Sequence, residues 1–223
     1  MQGIESATWI MAIATCVMAI VTFLAVLVAL FREDLVSIWR RPILDLRLQT
    51  GPPDCQKTPL ISINGGQPIG DAYYFRLWVF NDGRLRAEDV QIFAASLIYK
   101  MADRSFEPVR DFLPMNLVWS HSLTSKQGPE IFAKGISPEM GKHCDLGFIE
   151  QPHGGDDLCF ALAVEAIPNT GSHKLKPGIY KLELKVAASN SKPVTKYLEM
   201  NITGKWSEDE NKMLKENIGM TLL

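Results

Sequence analysis

Residues 7–31 read ATWIMAIATCVMAIVTFLAVLVALF, with no charged residue and no proline. Inside a bilayer every backbone N–H and C=O has to be bonded within the protein, and a lone segment can meet that demand only as a helix. These 25 residues would reach about 37 Å at about 1.5 Å each, more than the hydrocarbon core of about 30 Å. The run therefore predicts one membrane span. A separate domain must form from the 182 residues after Arg41.

Trp9 and Trp39 bracket the run, about 45 Å apart on a continuous helix, which suits aromatic anchors at the two membrane interfaces. Arg32, Arg40 and Arg41 follow the span, whereas only Glu5 precedes it. Lys and Arg set orientation and acidic residues count for little, so residues 1–6 are expected outside and 42–223 in the cytoplasm. A cleaved signal peptide would need a basic n-region and a shorter core, which Met1 to Ser6 and the run do not supply. Cys16 falls in the span, and the odd remainder of Cys55, Cys144 and Cys159 suits reduced thiols rather than a disulfide framework. Within the span Thr8, Thr15, Thr22 and Ala29 recur every seven residues. A stripe of small and hydroxylated residues lets helices approach closely and implies a homo-oligomer. Threonines bonded back to their own helix give the same pattern without association.

Beyond residue 41 there are 20 Lys plus Arg against 22 Asp plus Glu. That balance carries no basic footprint for nucleic acid, and the length suits one domain. Its pattern is that of strands. Leu44, Leu46 and Leu48 alternate with polar residues, 73–81 is apolar on both faces and ends at the turn Asn81-Asp82-Gly83, and 87–99 follows. Tyr180, Leu182, Leu184 and Val186 alternate with Lys181, Glu183 and Lys185, then Ser189-Asn190-Ser191 turns into a strand over 194–202. About seven such strands predict a mainly β fold, an antiparallel sandwich over 42–205 with Leu77, Val79, Leu162, Leu184 and Leu198 in its core. In the tail, 206–223, Ser207 and Glu210 have capping-box spacing ahead of Met213, Leu214 and Ile218, which predicts a short amphipathic helix.

Phe75 to Gly83 with Ala87 to Ile92 resembles the V-x-N-x-G-x-x-x-A-x-x-V hairpin of bacterial immunoglobulin-like sandwiches of the CARDB and fibronectin type III sort. Gly178 to Leu184 is similar to their later G-x-Y-x-L-x-V strand. The whole layout resembles uncharacterised bacterial proteins with one N-terminal span, which implies the inner membrane. These are scaffold signals serving turns and core, so the resemblance transfers no catalytic residue. The chain departs from the small members of the group in residues 101–142, a long insertion where a short connection is usual.

Two histidines, two cysteines and three aspartates fall in His143-Cys144-Asp145 and in 153–159. Their spacing is not that of a zinc site, and Cys144 with Leu146 and Phe148 would share one buried strand face. Gly135 to Lys142 has the wrong spacing for a phosphate loop. Neither a metal nor another cofactor is expected. The insertion draws more attention, since Phe112, Leu117 and Trp119, with Arg110 and His121 nearby, form an apolar stretch without period. Long loops in compact domains serve binding or cover an open end of the sandwich. The leading expectation is a non-enzymatic, membrane-anchored protein that engages a protein partner or a small ligand through its sandwich. A sensor or effector built on an oligomeric membrane bundle, as in bacterial stress or phage defence, is the alternative, and a His/Cys/Asp hydrolase a third.

Overall fold

A computed structural model describes residues 2–32, 40–62, 66–121, 132–152 and 158–223. The chain divides into two compact units, Met1–Arg41 and Pro42–Leu223. In the first, helix α1 (Gln2–Leu30) contains a stretch, Trp9–Leu30, long and apolar enough to cross a membrane. Its apolar side chains from Trp9 onward are exposed, apart from the half-buried Leu27, so the helix has no core of its own to cover. The Thr15 and Thr22 hydroxyls donate to the carbonyls of Met11 (2.9 Å) and Met18 (2.8 Å), which satisfies both donors within the helix.

The second unit is two antiparallel sheets whose inner faces share one apolar core. The first sheet runs β1 (Leu44–Arg47), β3 (Pro68–Asn81), β9 (Gly141–Glu150), β10 (Phe160–Leu162) and β11 (Lys174–Leu175). β2 (Cys55–Ile61) pairs with the first half of β3, and β7 (Val118–Trp119) with β9. The second sheet runs β14 (Ile218–Leu222), β13 (Ser191–Ile202), β12 (Gly178–Ala188), β4 (Ala87–Lys100) and β5 (Phe106–Pro108). β6 (Met115–Asn116) and β8 (Ala133–Ile136) pair with β4. Period-two alternation builds this core directly. Tyr73, Phe75, Leu77 and Val79 of β3 and Leu182, Leu184 and Val186 of β12 are all buried, and Leu162 and Leu198 join them.

Asn81, wholly buried at the end of β3, knits one end of the unit together. Its Oδ1 accepts from the amides of Ile43 (3.1 Å) and Gly83 (2.9 Å), and its Nδ2 donates to the carbonyls of Leu85 (2.8 Å) and Ile136 (3.0 Å). All four positions of a buried amide are thus used, joining three chain segments. On β9, Leu146 is an extra residue between the pairs Phe75↔Gly147 and Arg76↔Asp145. This bulge reverses the alternation, so Phe148 turns to the outer face and stacks on Tyr74 at 5.6 Å instead of sharing the inner face with Cys144 and Leu146. Gly147 lets β10 close in, because a Cβ there would collide with the Ala161 carbonyl and the Phe160 ring.

Three sequence expectations need correction. The described residues form fourteen strands rather than seven, because the 101–142 insertion itself contributes β5 to β8. The tail is only partly helical: α2 (Glu210–Lys212) runs into a π-helical turn (Met213–Asn217), and Ile218 then opens β14 along β13. The tail therefore belongs to the second sheet, and the domain reaches residue 223 rather than 205. The capping residue is Asp209, whose carboxylate accepts from the Lys212 amide at 3.1 Å, while Ser207 accepts from the Asp209 amide at 3.2 Å. Replacing Asn81 by Ala takes the partner from two carbonyls and two amides, among them the buried Ile136 carbonyl and Gly83 amide, so we expect a loss of about 3 kcal/mol in chemical denaturation of the full chain.

Candidate functional site

The residues proposed from sequence as a binding surface separate into two groups. Phe112, Leu117 and Trp119 are buried in the core, Leu117 and Trp119 almost completely, whereas Arg110 and His121 are exposed. β6 and β7 put them there: Leu117 lies between these two strands, its amide bonded to the Ile92 carbonyl of the second sheet, while Val118 and Trp119 pair with Asp145 and Cys144 of the first. The stretch therefore closes the space between the sheets, and the reading of its apolar residues as an exposed surface is corrected. Arg32, Arg40 and Arg41 fall in the last part of the first unit, whereas Trp39 and His153 lie outside the described residues.

His143, Cys144 and Asp145 do not converge, since neighbours on a strand face opposite sides. Cys144 points into the core and its thiol lies 3.2 Å from the Val118 carbonyl. On the outer face His143 Nε2 donates to Asp54 Oδ1 at 2.8 Å, and its ring packs on Trp78 at 4.5 Å. Asp145 instead pairs with Arg76 at 3.2 Å and accepts from the Ser120 hydroxyl. A nucleophile pair would need serine and histidine joined to each other. Here each is committed to a different carboxylate, and the network ties the 49–54 loop to β3, β7 and β9. Burial pushes the Cys55 thiol up to about 11 and the Cys144 thiol well above its usual value near 9. Neither is a thiolate at neutral pH, which removes the nucleophile from the thiol reading at these two positions.

The feature with the character of a binding site lies where the edges of the two sheets diverge. There a cleft of about 610 Å³ opens between β4 and β5 on one side and the 170–177 segment around β11 on the other. Leu97, Val109, Leu175 and the Tyr99–Tyr180 pair, whose rings lie 5.1 Å apart, supply its apolar base. Burial pushes the Tyr180 phenol up, and its hydroxyl donates to the Lys176 carbonyl at 3.0 Å, which fixes the ring. Gly178 admits the Tyr99 ring, since a Cβ there would strike it. Glu107, Asp111, Thr170, Ser172 and Lys174 line it with polar groups. Size and lining match small-ligand sites, which are mostly apolar with a few placed polar groups. The insertion thus contributes a wall at 107–111. Sequence reasoning passed over Tyr99, Tyr180 and the 170–177 segment; the cluster Pro168-Asn169-Thr170-Gly171-Ser172 beside a later Pro177-Gly178 was the available signal.

A second, larger hollow of about 900 Å³ lies along Phe148, Ala161 and His173 of the first sheet. Its lining includes Pro152 and Cys159, between which residues 153–157 lie outside the described residues.

Two outcomes test these assignments. Native protein at pH 8 should leave Cys55 and Cys144 unalkylated until denatured, since a thiol titrating at about 11 is only about 0.1% thiolate there. Their folded pKa lies above the unfolded one, so both residues are neutral to stability at pH 7 and subtract from it as pH rises from 9 towards 11. Trp119→Ala should lower unfolding free energy by about 3 to 5 kcal/mol, as removal of a core aromatic does, measured by denaturant titration.

Comparison of the chain with protein-family models, with curated proteins and with solved structures finds no match.

Proposed function

We propose that this chain is a single-span protein of a bacterial inner membrane. Its second unit, a sandwich of the immunoglobulin-like kind facing the cytoplasm, binds a partner or small ligand rather than turning over a substrate. The observation that carries the reading is the cleft at Tyr99 and Tyr180, an apolar base of two rings with polar groups on its walls. Two further facts favour binding over catalysis. The protons of Ser120 and His143 go to separate carboxylates, and burial holds two of the thiols neutral. The span supports retention at a membrane, because an uninterrupted apolar helix with exposed side chains is stable in lipid and costly in water.

Photo-crosslinking in intact cells checks the site. A benzophenone amino acid placed at Met101 or Thr170, both exposed at the cleft, should give a discrete adduct, and the same group at exposed Thr195 on β13 should not. Equal yields from all three positions, or none from any, would place binding elsewhere.

A further inference from the structure

We infer that the ligand of the cleft at Tyr99 and Tyr180 is a short peptide of about three residues with both termini free, its ammonium held at the β5 wall and its carboxylate at the β11 wall. The inference rests on reading that cleft as the binding site.

Strand register sets one half of the site. Glu107 on β5 stands directly opposite Tyr99 on β4, and Tyr99 directly opposite Tyr180 on β12, so the three side chains form one row on the same side of the second sheet. Neighbours in such a row have Cβ atoms about 5 Å apart. A carboxylate is thereby set at the margin of two aromatic rings whose centres lie 5.1 Å apart. Asp111 adds a second acid to the same wall. Aromatic faces attract a cation and a carboxylate fixes where it stops, a combination that suits an ammonium group.

The facing wall has the opposite sign, with Lys174 on β11 and Lys176 just after it. The Tyr180 hydroxyl holds the Lys176 carbonyl, and the Lys174 amide donates to the Gly171 carbonyl at 2.9 Å, so both lysines spring from a fixed main chain. The Ser172 hydroxyl accepts from that of Thr170 at 3.0 Å and keeps its own proton to give. Two ammonium groups and a hydroxyl suit a carboxylate.

Among the described residues, none of Glu107, Asp111, Lys174 and Lys176 has an ion pair. The nearby cations leave the acidic wall its sign: Arg110 is not part of the lining, and neither is Lys100, whose ammonium lies over the Phe106 ring at 5.7 Å. Opposite charges that line one cleft without meeting each other are answered together by a ligand charged at both ends. Width then selects the length of that ligand. β5 belongs to the second sheet and β11 to the first, and packed sheets stand about 10 Å apart. A single amino acid carries both charged groups on one carbon and reaches one wall only. Three extended residues cover about 10 Å, which places a terminus at each wall and the middle side chain over the two rings. Leu97, Val109 and Leu175 complete an apolar seat for that side chain.

The test is equilibrium dialysis of tritiated alanyl-phenylalanyl-alanine against the full chain in phosphatidylcholine nanodiscs, with empty discs as the blank. We expect saturable binding that N-acetylation or C-terminal amidation of the peptide each weakens by about tenfold, with free phenylalanine weaker by at least about as much. Glu107→Gln should weaken the free peptide by a similar factor and leave the N-acetylated one unchanged. Lys174→Gln and Lys176→Gln together should weaken the free peptide and leave the amide unchanged, and the melting temperature of each variant checks that it is folded. Absence of saturable binding, or binding indifferent to blocked termini, would overturn the peptide assignment. The crosslinkers at Met101 and Thr170 judge the cleft itself: adducts there without peptide binding reject the peptide and keep the cleft, whereas neither adducts nor binding overturns both.

Discussion

A backbone amide removed from water must be hydrogen-bonded, and the two units of this chain meet that requirement in opposite ways. α1 satisfies each group within itself, four residues along, and so needs no neighbour; its outer surface can then be apolar all round. The strands of the second unit satisfy theirs only through one another. β3 shows how far that dependence goes, since its fourteen residues pair with β2 and β1 on one edge and with β9 on the other. Everything on the first sheet, from the His143–Asp54 contact to the burial of Cys144, takes its position from that one strand.

The same dependence explains where side chains with chemical potential end up. Polar groups that reach the outer face are drawn into pairs that stitch loops to strands, as Arg76, Asp145 and Ser120 are. A second staple joins the tail to β2 and β3. Lys57 pairs with Asp71 at 2.8 Å and with Glu208, the Tyr73 hydroxyl donates to the Ser207 carbonyl at 2.9 Å, and Trp206 stands edge-on to Tyr73 at 5.1 Å. Such contacts bind the covering segments to the sheets and leave few polar groups over for a ligand. Where the sheets part, at the short edge strands β5 and β11, aromatic and polar side chains face an open space together.

Elements with a strong local period were legible in the sequence. The long apolar helix follows from composition and length, and the β12–β13 hairpin and the alternation of β3 from spacing alone, because burial on one or both faces imposes it. Harder to see were features that depend on a distant partner. β6 and β7 have two residues each and exist because β4 and β9 lie alongside, so Leu117 and Trp119 read as an aperiodic loop. Ile218 follows Met213 and Leu214 at helical spacing, yet pairing with Ile202 makes it a strand residue. The cleft was invisible for the same reason: Tyr99 and Tyr180 are 81 positions apart in the chain and meet only through the β4–β12 register.

The bulge at Leu146 gives β9 two halves of opposite phase, with His143 and Asp145 outward before it and Phe148 and Glu150 outward after it. Deleting that one residue would make Asp145↔Arg76 and Gly147↔Phe75 successive regular pairs and leave Phe148 and Glu150 outward, whereas a one-residue slip of the half beyond it would send Phe148 and the Glu150 carboxylate inward and Ile149 out to water. Among sequences descended from a common ancestor with this one, length changes within β9 other than loss of the bulge residue should therefore be purged while substitutions on its outer face are allowed. The strand behaves as a fixed ruler against which the loops on either side are free to vary.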